Sequence, residues 1–373
     1  MCEEKRLGGR PQNDGKKGGI VGRAVKMLAL CLALGLTLVS WSQSVDPRAA
    51  MIAFVEAIAA HVRAGDPAFA VFPQNAAELA QDPGYLATVT GIGQEDTFYG
   101  YKAPGRKSPA KATALIETSL DLFKTAGKLV LTVDYPFHDR NRPVFNQLAR
   151  RKIDRLYGLS LEKGYVPYAT VLNLDWLTMN PGHFPNPNHG AVTAWSQVQN
   201  FAYQLQPSKD ESREAFLSAL GSSGYDLIVM DYSFDGSGPQ AFTPGEIAAL
   251  RNQCGCKLLA YVSIGEAESY RWYWQSSWGT DPPPWLGPEN PNWPGDYRVR
   301  YWDPAWQAIV FQYLDQVMAQ GFDGVYLDTV DTYEYWQNHP TAWGGKSSKE
   351  GQPRHRPGGE TAPGVGRQRR GGS

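Results

Sequence analysis

Gly321-Phe322-Asp323-Gly324-Val325-Tyr326-Leu327-Asp328-Thr329-Val330-Asp331-Thr332-Tyr333 opens on a helix-ending glycine and closes on acids and hydroxyls. Its apolar centre, Gly324 to Leu327, reads as a short buried strand that delivers Asp328 where the chain would emerge from a core. A single strand-end aspartate can equally cap the helix that follows. The same punctuation recurs along the chain, and the recurrence decides the reading.

Working outward, the spacing predicts a helix from about Pro304 to Gln320 and, before it, a strand from Lys257 to Ile264 ending in Ser263, Gly265, Glu266 and Glu268. Thr243-Pro244-Gly245-Glu246 has the form of a capping box opening the preceding helix. Tyr225 to Met230 delivers Asp231 and Tyr232, after a helix at Glu211 to Leu220 and a strand at Asn200 to Leu205 that carries Tyr203 and Gln204. Nearer the start, Phe69 to Pro73 delivers Gln74 and Asn75, and Val89 to Ile92 delivers Gln94, Glu95 and Asp96. Lys128 to Val133 delivers Asp134 and Tyr135, and Tyr165 to Val171 completes this group. Helical spacing links these strands at Met51 to Val62, Ala76 to Ala80 (ended by a turn at Asp82-Pro83-Gly84), Pro109 to Ala126 and the stretch before Gly164. Eight strand–helix units are what a (β/α)8 TIM barrel requires, with its active face at the C-terminal strand ends. Two independent four-stranded α/β domains are the alternative.

The 373 residues carry a formal net charge of -1, which offers no global field for nucleic acid or a membrane surface. Residues 1–44 read as a leader and signal peptide, basic up to Lys26, apolar from Met27 to Trp41, then Ser42-Gln43-Ser44. The apolar run is short for a membrane span, so the expectation is a secreted monomer with no stable membrane insertion once the signal is removed. The half barrels then occupy 45–180 and 195–340, with a Pro- and Gly-rich linker at 181–194 and a disordered tail at 341–373. Cys254 and Cys256 read as a surface-loop pair, open to oxidation, with a metal role as the rarer alternative. Seven of the twelve tryptophans fall between Trp272 and Trp306, a density that core filling alone seldom explains.

Several segments of the second half resemble the extracellular glycoside hydrolases related to endo-alpha-1,4-polygalactosaminidase, glycoside hydrolase family 114. They are Tyr225 to Tyr232, Ala260-Tyr261-Val262-Ser263-Ile264-Gly265-Glu266-Ala267-Glu268, Trp285 to Pro291, Val299-Arg300-Tyr301-Trp302-Asp303 and Gly324 to Asp331. The first half resembles the family's later strand ends, in Phe72-Pro73-Gln74-Asn75, Gly91 to Tyr101 and Leu131-Thr132-Val133-Asp134-Tyr135. Here those later segments come first. The resemblance therefore implies a circularly permuted barrel, with the family's strands five to eight ahead of strands one to four, or a fusion left by rearrangement of tandem gene copies.

Glycoside hydrolysis uses two carboxyl groups flanking the scissile bond. The resemblance places them at Asp328, as nucleophile or base, and Glu95, as general acid. Asp96 is the rival acid, although strand alternation lets only one of the two face a cleft. Asp231, Asp134 and Glu266 would ring the pair. Together with Gln74, Tyr203 and Tyr261 they suit a polar sugar, and the extra negative charge suits a cationic one such as galactosamine. Trp272, Trp274, Trp285 and Trp302 are candidates to stack on sugar faces. No calcium loop, phosphate-binding glycine loop or nucleophile elbow is present in the sequence, so neither metal nor cofactor is expected. The expected partner is an alpha-linked galactosamine-containing polysaccharide and not nucleic acid. A non-catalytic carbohydrate-binding barrel, or an inactive rearrangement product, is the rival reading.

Overall fold

The computed structural model describes residues 45–340. The leader and signal expected over 1–44 and the tail expected over 341–373 lie outside these residues. Each of the eight expected strands forms, and three short ones join them. In chain order they are β1 (Ala70–Pro73), β2 (Gly91–Glu95), β3 (Leu129–Asp134), β4 (Val166–Ala169), β5 (Phe201–Tyr203), β6 (Leu227–Met230), β7 (Lys257–Ser263), β8 (Glu266–Glu268), β9 (Leu286–Glu289), β10 (Asp296–Val299) and β11 (Gly324–Asp328). The helices are α1 (Pro47–Gly65), α2 (Pro83–Thr88), α3 (Ala110–Thr125), α4 (Gln147–Glu162), α5 (Arg213–Gly221), α6 (Pro244–Cys254), α7 (Pro304–Gln320) and α8 (Thr332–Asn338). Among the described residues no helix is long and apolar enough to cross a membrane.

The strands pair in parallel in the orders β1-β11-β7-β6-β5 and β2-β3-β4. Between β1 and β11 the register runs from Ala70 opposite Gly324 to Pro73 opposite Leu327, so strands from the two sequence halves share one sheet. That pairing argues against two independent four-stranded domains. The two sheets meet at an isolated parallel bridge between Gln74 and Gly93, where Asn75 N donates to Gly93 O at 2.8 Å and Thr90 N to Val71 O at 2.9 Å. At the far edges, the Tyr168 ring of β4 lies 5.5 Å from Phe201 of β5 and 5.8 Å from Tyr225. No ladder joins β4 to β5 among the described residues.

The local causes are ordinary. Most of the eight strands are buried along nearly their whole length and read as near-continuous apolar runs, as parallel strands covered by helices do. The box predicted at the start of α6 is present: Thr243 Oγ1 accepts from Glu246 N at 3.2 Å, and Glu246 Oε2 accepts from Thr243 N at 2.7 Å. Helix α7 starts on Asp303, whose carboxylate accepts from Ala305 N at 2.8 Å, and ends on Gly321 at φ +91°, the left-handed conformation glycine adopts most easily.

The structure differs from the sequence reading in four places. Asp82-Pro83-Gly84 is a helix start and not merely a turn: Asp82 Oδ1 accepts from Gly84 N at 2.9 Å and Tyr85 N at 3.0 Å, with Pro83 in the first helical position. The Trp-rich stretch is no plain loop, because β8, β10 and β9 make a small antiparallel sheet in it. Cys254 and Cys256 are buried rather than on the surface, and form a disulfide with a Cα–Cα distance of 5.1 Å where α6 turns into β7. Both sulfurs are thereby used, and the metal reading falls. Finally, the stretch 181–194 carries no helix or strand, yet it is pinned at both ends. Asn180 Nδ2 donates to Ala169 O at 3.0 Å, and Val192 N donates to Gly255 O at 2.7 Å.

Candidate active site

Asp328 ends β11 and Glu95 ends β2, both at the C-terminal side of their strands, with β1 between them. Neighbouring strands lie about 4.8 Å apart, so the two backbones are separated by about 10 Å. Three strand ends here share a feature of backbone geometry. The residues that follow Gln74, Glu95 and Asp328 all take positive φ without being glycine: Asn75 at 62°, Asp96 at 59° and Thr329 at 60°. For a β-branched residue such as Thr329 this is an outlier, of the kind that persists where surrounding bonds over-determine it. Those bonds are present. Thr329 N donates to Asp328 Oδ1 at 2.7 Å, Gly265 N donates to Thr329 Oγ1 at 2.8 Å, and Ser263 Oγ lies 2.9 Å from the same hydroxyl.

Glu95 is gripped from three sides. Gln74 Nε2 donates to its Oε2 at 2.7 Å, Asn75 Nδ2 to the same oxygen at 3.1 Å, and the Tyr135 hydroxyl to Oε1. Gln74 is itself held, because Tyr203 O–H donates to its Oε1 at 2.9 Å. Burial, Glu95 and Asp96 together push the Tyr135 hydroxyl well above its ordinary pKa, so it stays a donor. Asp328 accepts from the Tyr261 hydroxyl at 2.8 Å. The Asp96 carboxylate lies against Gly100, where a Cβ would come within 1.9 Å of Oδ1.

The ring of further acids is placed unevenly. Glu266 is buried close enough to Asp328 for the charges to interact, and Asn290 Nδ2 donates to its Oε1 at 2.9 Å. Burial first, then Asp296 and Asp328, push its carboxyl well above the usual range. Asp134 accepts from Phe98 N and Tyr99 N, both at 2.6 Å, and so fixes the loop after β2; burial pushes it up to about 8 despite those donors. Asp231 pairs with Arg271 at 2.8 Å, and Arg271 reaches Glu268 at 2.6 Å. Burial nevertheless raises Asp231 to about 6. Of the acids expected around the pair, Asp134 thus keeps its proton near neutrality, whereas Asp231 stays largely ionised beside Arg271. Nothing in the sequence marks Arg271, since a lone arginine among tryptophans carries no pattern.

The tryptophans mainly pack on one another. Trp285 lies 4.9 Å from Trp278 and 5.0 Å from Trp306, and Trp274 lies 4.9 Å from Tyr297. Trp272 meets Tyr273 edge-on at 5.7 Å. Trp302 stays partly exposed, 5.7 Å from Trp336.

Comparison with known proteins bears on this arrangement. Residues 185–350 match the model of glycoside-hydrolase family GH114. The GH114 segment holds β5 to β11 and with them Asp328, Tyr261 and Glu266, whereas Glu95 lies outside it. An uncharacterized protein of Thermotoga maritima is 47% identical over 137 residues, which is 37% of this chain and 40% of that protein. Another, MJ1477 of Methanocaldococcus jannaschii, is 48% identical over 136 residues, 36% of this chain and 37% of that protein. The chain therefore spans well under half the length of these curated relatives. Among solved structures, Ega3 of Aspergillus fumigatus in complex with galactosamine is 25% identical and covers 30% of this chain and 40% of its own, with a TM-score of 0.25.

Proposed function

We propose that the protein is a secreted, monomeric glycoside hydrolase that cleaves an alpha-linked galactosamine-containing polysaccharide, with Asp328 as nucleophile or base and Glu95 as general acid. The observation that carries this reading is the placement of the two carboxylates. Each stands at the C-terminal end of a parallel strand, each is held by side-chain donors, and Asp328 lies in the segment that matches a glycoside-hydrolase family.

In the same proposal the barrel is circularly permuted and closes within one chain. A colinear comparison can follow only one half of a permuted chain, which accounts for a match that takes in β5 to β11 and stops. The test is release of reducing ends from polygalactosamine. Asp328→Asn and Glu95→Gln should each lower kcat by about 10² to 10⁴-fold, the range expected for loss of an acid or base, while retaining polymer binding. A wild-type protein that binds the polymer and releases no reducing ends would leave the binding-barrel reading standing instead.

A further inference from the structure

Four tyrosine hydroxyls surround the Asp328 and Glu95 carboxylates. Three are committed: Tyr135 and, through Gln74, Tyr203 serve Glu95, and Tyr261 serves Asp328. The fourth belongs to Tyr326, which is fully buried and whose hydroxyl has no hydrogen-bond partner among the described protein groups. Native folds rarely leave a buried polar group in that condition.

Its position follows from the strand period. Tyr326 stands two residues before Asp328 on the same face of β11, and Gly93 stands two residues before Glu95 on the same face of β2. The tyrosine reaches across from the first to the second. Its hydroxyl lies so close to Gly93 that a Cβ there would come within 1.7 Å of it. Tyr203 braces the ring from the side, with centroids 5.1 Å apart. The hydroxyl therefore lies one layer beneath the two carboxylates and between their strands, where both act on it electrostatically.

We propose that Tyr326 is a positioning residue for the carboxylate pair, its O–H turning between Asp328 and Glu95 to donate to whichever bears the charge as substrate closes on them. This rests on the reading of those two residues as the catalytic pair. As Glu95 passes its proton to the leaving oxygen, negative charge appears on Glu95 and declines at Asp328, which either bonds to the sugar or takes a proton from water. Once substrate has brought the carboxylates into its reach, a hydroxyl rotating about its C–O bond follows that transfer. Tyr326 gives up no proton, since burial and the two neighbouring carboxylates hold its hydroxyl well above the ordinary tyrosine range. Glycine at position 93 is what admits the hydroxyl.

Tyr326→Phe keeps the ring and removes only the oxygen. In the full chain saturated with galactosamine, the carboxyl carbons of Asp328 and Glu95 are titrated by 13C NMR in wild type and variant, and thermal unfolding of the free protein is followed in parallel. Reducing-end kinetics are measured on polygalactosamine. The expected result is a rise of about half a pH unit or more in an apparent pKa of the pair, with kcat about tenfold lower and KM within about twofold. The melting temperature should be unchanged or higher, because the resting protein loses no hydrogen bond. Superimposable titrations overturn the proposal whatever the activity, and a lower melting temperature with unaltered titrations would make Tyr326 a packing residue. A wild type that releases no reducing ends overturns the hydrolase reading instead, and the titration comparison still decides the role of Tyr326.

Discussion

Asp134 shows at the scale of one residue how burial and function pull a carboxyl in different directions. Its sequence position, at the end of a strand beside Tyr135, is that of a candidate sugar ligand. Its side chain is instead fully buried, with two backbone amides 2.6 Å away. A folded-state pKa of about 8, against 3.8 in the unfolded chain, means that the folded protein keeps a proton that the unfolded chain releases between those values. Stability linked to Asp134 is thus fully present below about pH 4 and is lost as pH rises toward 8, at up to about 1.4 kcal/mol per pH unit. Asp134→Asn imitates the protonated form. Urea unfolding between pH 5 and 8 should fall less steeply with pH for this variant than for wild type, and parallel slopes would show that the carboxyl is ionised in the fold. That Asp328 and Glu95 end strands is legible, because acids that close apolar runs stand out, whereas their pairing as catalytic carboxyls rests on the family resemblance. Arg271 is not legible, because what makes it matter is the pair of buried carboxylates that the fold brings to it.

Among the elements, the helices follow local signals and the small sheet does not. Helix α6 begins with the box that its four letters predict, and Arg213 adds a bond to Glu246 Oε1 at 2.7 Å that holds this carboxyl down to about 2. Thr243→Ala should remove about 1 kcal/mol of stability, read as a lower urea midpoint with an unchanged slope. A neutral result would mean that Arg213 holds the turn without the cap. At Asp82-Pro83-Gly84 the same residues can begin a turn or begin a helix, and only the length that follows distinguishes them. The strands β8, β9 and β10 are three or four residues long and pair out of order, β10 lying between the other two. Leu286-Gly287-Pro288-Glu289 has no alternating pattern to announce a strand. Its pairing with Tyr297 and Val299 depends on a chain reversal that the tryptophan packing supports.

For the whole molecule, the junction between halves is the deciding feature. β1 comes from the first half and β11 from the second, and their four-residue register joins the halves through the sheet as well as through the linker. A protease site inserted between Pro185 and Asn188, where the linker is largely exposed, should after cleavage give two fragments that still elute together on size exclusion at the mass of the intact chain. Fragments that separate without denaturant would mean that the linker, and not the sheet, holds the halves.

The sequence by itself determined the eight strands, most of the helices between them and the acids at the strand ends. Each of these is written in short-range signals, namely apolar runs, caps and the polar residues that follow them. Only the tertiary structure decided which strands are neighbours, that Glu95 and Asp328 stand two strands apart, that Tyr326 reaches from one strand to the other, and which acids keep their protons. Those outcomes depend on contacts between residues as far apart in the chain as Gln74 and Tyr203, or Phe72 and Tyr326, and on the desolvation that close packing brings. Neither is a property of any local stretch.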